Sequence, residues 1–69
     1  MSEFARVLRA QVEHAHRELG AAWRGGNEER AASAAVRLAE LLDLADRHGV
    51  DTTRWIDPAA RSFLKDQRR

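Results

Sequence analysis

Gly25 and Gly26 stand between two stretches in which apolar residues return every third or fourth position. Glycine enters the left-handed backbone region at little cost, so the pair ends a helix on its N-terminal side. Asn27 follows as a strong N-cap, and Glu28 and Glu29 suit the positive end of a helix that starts there. So short a connection between two long helices dictates an antiparallel hairpin.

The first helix is expected over 2–24. Ser2 is its N-cap, and Phe4, Leu8, Val12, Ala15, Leu19 and Ala22 form one stripe, with Trp23 at its edge. Arg6, Arg9, Glu13, Arg17 and Arg24 fall on the other side. The second helix is expected over 28–48, with the turn at 25–27. Its central stripe is Ala31, Ala35, Leu38, Leu42 and Ala45, flanked by Ala34 and Leu41. Ala32, Val36, Ala39 and Leu44 lie outside that stripe, so apolar surface covers about half the cylinder, more than one partner helix needs. Gly49 is the expected C′ residue and Val50 the apolar residue after it. Folding back at the turn brings Ala15 toward Ala35, Val12 toward Leu38 and Leu8 toward Leu42. Small residues gather near the turn and larger ones at the open end.

Something must fill that open end. Residues 49–57 read as a loop, and Asp57-Pro58 is an N-cap followed by a first-turn proline. A short helix is expected over 58–66, and 67–69 as a frayed basic tail. So short a helix does not hold alone in water. Trp55, Ile56, Phe63 and Leu64 are therefore expected to dock across the open end of the hairpin. The whole reads as a single all-α domain over 1–66.

The core is thin. Alanine supplies 13 of 30 apolar residues, against 14 from leucine, valine, isoleucine and phenylalanine together. A chain of 69 residues with such a core usually needs a staple or a partner, and without cysteine no disulfide or thiolate metal site can serve. The surplus apolar face points to self-association into a helical bundle, with an isologous homodimer the expected form. Val36, Ala39, Leu44 and Trp55 are the expected interface, with Val7 also lacking an intramolecular partner. The leading functional expectation is a non-enzymatic protein–protein interaction module that binds itself or another protein.

Little in the chain supports chemistry. His14 and His16 point about 200° apart on a helix and cannot share an ion. His14 with Glu18 offers only two ligands where a closed zinc site takes four. Ser2, Ser33 and Ser62 have no histidine at helical spacing to act as a base, and no glycine-rich phosphate loop occurs. No catalytic residue, metal or cofactor is expected. The chain has no apolar run of membrane-spanning length, so no membrane partner is expected, and the lack of cysteine fits a cytoplasmic setting.

The rival expectation is nucleic-acid binding. The run Leu44-Ala-Asp-Arg-His-Gly49-Val50-Asp51-Thr52-Thr53-Arg54-Trp55-Ile56 resembles the turn of a helix-turn-helix DNA-binding protein. The resemblance implies a recognition helix capped by Asp51 and carrying Thr52, Thr53 and Arg54. Net charge is +1, but residues 27–50 carry −2 and residues 51–69 carry +2. Arg61, Lys65 and Arg68 would add phosphate contacts.

Overall fold

The structure, a computed structural model, describes the backbone of residues 2–67 and the side chains of that range except Pro58, Phe63 and residues 65–67. Phe63 and residues 68–69, to which the sequence assigns a docking and a tail role, lie outside the described residues.

Local hydrogen bonding sets each helix boundary. The Ser2 hydroxyl accepts from the Ala5 amide at 3.1 Å and opens α1 (Glu3–Arg24). At its other end the Asn27 amide donates to the Ala22 carbonyl at 3.0 Å, and the Gly26 amide to Trp23 at 3.2 Å. Gly26 has φ +69°, which completes a Schellman ending. The Asn27 side chain then accepts from the Arg30 amide at 3.0 Å and opens α2 (Glu28–Arg47). One residue thus ends α1 and starts α2. The same ending recurs at α2, where Gly49 has φ +69° and the Val50 amide donates to Ala45 at 2.8 Å. The third element, α3 (Pro58–Gln67), is opened by Asp57, whose carboxylate accepts from the Ala59 amide at 2.9 Å.

The chain is all-helical among the described residues, and the two long helices pack against each other as an antiparallel pair. Leu8, Val12 and Ala15 of α1 meet Leu38, Leu42 and Ala45 of α2 in the core. Ile56 and Leu64 join the same cluster. The position of α3 differs from expectation. It packs along α2, and its backbone does not reach α1. One flank of α2 therefore covers α1 and another meets the C-terminal segment, which accounts for much of the width of its apolar face. Ala39 is the clearest correction. It is only 5 % exposed and sits in the core with Ile56 and Leu64, so it is not free for a partner.

Leu38 and Leu42 are fully enclosed, the two largest such side chains of the hairpin. Replacing either with alanine should lower stability by about 2–5 kcal/mol, read from urea or thermal unfolding followed by helicity. For so thin a core, that loss leaves little folded protein at room temperature.

Candidate functional site

The outward side of α2 carries Glu29, Ala32, Val36 and Glu40 at steps of three and four, all exposed. Val36 is 58 % exposed, so this expected interface residue does stand free of α1 and α3. Leu44 is half-buried and, with Leu41, packs at the edge of the core. These two leucines floor a shallow groove along the α1–α2 seam, rimmed by Gln11, Arg37, Glu40 and Arg47. Near the N-terminus of α1, the Phe4 ring lies against the His48 ring with centroids 5.0 Å apart and planes tilted by 53°. Phe4 thus leaves the core stripe that its spacing assigns it to and is 43 % exposed. Val7, one turn further on, is also exposed. Trp55 is half-buried against the core, so only part of it remains for a partner.

The helix-turn-helix expectation meets a different geometry. Residues 51–56 form turns and no helix. The Trp55 amide donates to the Thr52 carbonyl at 2.9 Å, closing a single turn. Proline at 58 keeps the residue before it out of helical backbone, so a recognition helix had little room to form. Thr52 is fully buried, and its hydroxyl accepts from Arg61 Nη1 at 2.9 Å. Arg61 Nη2 forms an ion pair with Asp46. Thr52 and Arg61 are therefore corrected from phosphate-contacting residues to a latch that ties α3 to the end of α2. Thr53 and Arg54 are exposed. The Lys65 side chain and Arg68 lie outside the described residues.

Asp51 organises the turn. Its carboxylate accepts from the Thr53 amide at 3.0 Å and from the Thr53 hydroxyl at 2.8 Å. Those two bonds hold the carboxyl below its ordinary value of 3.8, helped by the positive charges of Arg54 and Arg61.

Nothing here is arranged for catalysis or metal binding. His14 Nε2 meets Glu18 Oε1 at 3.1 Å as a surface pair. Among the described residues no three His, Cys, Asp or Glu side chains converge on one point, and no buried side-chain polar atom lacks a hydrogen-bond partner. No described helix is long and apolar enough to cross a membrane.

The sequence gives no sign of the Arg61 latch. Its partners lie nine and fifteen residues away, and both acquire their places only when α3 docks. The Phe4–His48 contact was foreseeable in part, since an antiparallel hairpin brings the start of α1 to the end of α2. No protein-family model, curated protein or solved structure matches this chain.

Two outcomes test the turn and the latch. Arg61→Ala strips the buried Thr52 hydroxyl of its donor and should cost about 1–3 kcal/mol, with amide exchange accelerating first in α3. Because the Asp51 carboxyl is lowered in the folded chain, the support it gives the turn is complete above 3.8 and fades as pH falls through the lowered value. A carboxyl-carbon NMR titration should place the Asp51 midpoint below 3.8, and Thr53→Ala should move it upward.

Proposed function

We propose that this chain is a small non-enzymatic protein–protein interaction module that assembles with a second copy into a helical bundle through the outward side of α2. The observation that carries this reading is Val36. A branched apolar side chain stands 58 % exposed in mid-helix, beside a groove floored by Leu41 and Leu44. Isolated exposed apolar residues are ordinary on protein surfaces. Here Val36 continues into the half-covered leucines of the seam, and Phe4 and Val7 stand exposed on α1. A core built largely on alanine adds a reason for the chain to bury more surface by assembly. The interface in this reading uses Val36 and Leu44, with the exposed part of Trp55 at its margin. Ala39 takes no part.

Light-scattering mass across a dilution series tests the reading. The parent chain should pass from an assembled species to a monomer on dilution. Val36→Asp should be monomeric at concentrations where the parent is assembled, with its helicity intact. A parent chain that is monomeric throughout would end the proposal.

A further inference from the structure

The outward side of α1 is the complement of the outward side of α2. Gly20 lies inside α1, where glycine is a poor helix former. Its missing side chain leaves a depression lined by His16, Arg17, Leu19, Trp23 and Arg24. The residues three and four positions to either side of Gly20 are His16, Arg17, Trp23 and Arg24, the four corners of a hole that takes a side chain from a facing helix. Trp23 is 64 % exposed and supplies an apolar wall. A Cβ built on Gly20 meets nothing but the guanidinium of Arg24, at 3.3 Å, so the hole is covered by one flexible side chain.

The matching knob is Val36. When α2 of one copy lies antiparallel on α1 of another with Val36 over Gly20, Glu40 falls opposite Arg17. Glu29 falls within one turn of the position opposite Arg24. The side chains of Arg17, Arg24, Glu29 and Glu40 form no ion pair or hydrogen bond among the described residues. All four are exposed. Pairing the α2 face with itself would instead set Glu29 and Glu40 against their own copies. Pairing the α1 face with itself would do the same to Arg17 and Arg24. Like charges across an interface suppress both arrangements.

We infer that copies of this chain associate head to tail, with Val36 of one seated in the Gly20 depression of the next and Arg17 and Arg24 facing Glu40 and Glu29. This rests on the preceding reading that the outward side of α2 carries assembly, and it names the surface that receives it. The two faces look away from each other across the helix pair, so the contact is heterologous and does not close at two copies. It replaces the isologous dimer expected from the sequence.

Two half-blocked chains test the inference. Gly20→Gln fills the depression with a better helix former, and Val36→Asp removes the knob. Helicity is checked for each. The parent should grow beyond two chains with concentration. Each variant alone should remain monomeric, and their equimolar mixture should form a one-to-one pair through the single intact contact. Arg17→Glu should weaken association about tenfold or more, and adding Glu40→Arg to the same chain should restore it. Loss of assembly with Val36→Asp but not with Gly20→Gln overturns the head-to-tail contact while leaving the α2 reading standing. A parent that stops at two chains, or a mixture that stays monomeric, overturns it equally. A parent that never associates overturns both.

Discussion

Asn27 performs two operations within one residue. Its amide closes α1 through the Ala22 carbonyl, and its side chain opens α2 through the Arg30 amide. That economy leaves no slack between the helices, so the register of α1 against α2 is set at the turn. Leu8, Val12 and Ala15 can then meet Leu38, Leu42 and Ala45 in only one way. The groove along the seam and the opposed outward faces inherit their positions from that register. A longer, looser connection would let the helices slide, and a core this small has few large side chains to hold them in place.

The core works by proximity more than by bulk. Ala15, Ala31, Ala34, Ala39 and Ala45 are all buried, and side chains this small let helix backbones approach closely. The larger residues, Leu8, Val12, Leu38 and Leu42, are joined by Ile56 and Leu64 from the C-terminal segment. The C-terminal third thus adds apolar volume that the hairpin does not itself possess. It does so along α2 and not across both helices, because Arg61 anchors it to Asp46 and Thr52.

What could be read from the residues alone was whatever is decided locally. Ser2, Asn27 and Asp57 as caps, and Gly26 and Gly49 at helix ends, depend on neighbours within a few positions. The facing stripes of α1 and α2 follow from helical period. What could not be read depends on where α3 settles. Ala39 looked free because the stripe count considers one partner helix at a time. Thr52 and Arg61 looked like surface polar groups because nothing within a helical turn of either announces the other. Val36 was legible because no second element covers its side of α2. Gly20 went unremarked, since a lone glycine inside a helical pattern carries no label for what its absent side chain exposes.

The two connections of this fold differ in kind. The first is three residues long and sealed by backbone hydrogen bonds at both ends. The second, between α2 and α3, runs through exposed turns and is secured by one guanidinium with an oxygen on either side. Local stability in a protein is rarely uniform, and segments fastened by few interactions open before the rest. The hairpin and the C-terminal helix are therefore separate units on the time axis. Transient release of α3 would uncover Ala39 and the Leu64 pocket for as long as Arg61 stays unbound. The chain would then present, briefly, a wider apolar surface than the one it shows when closed.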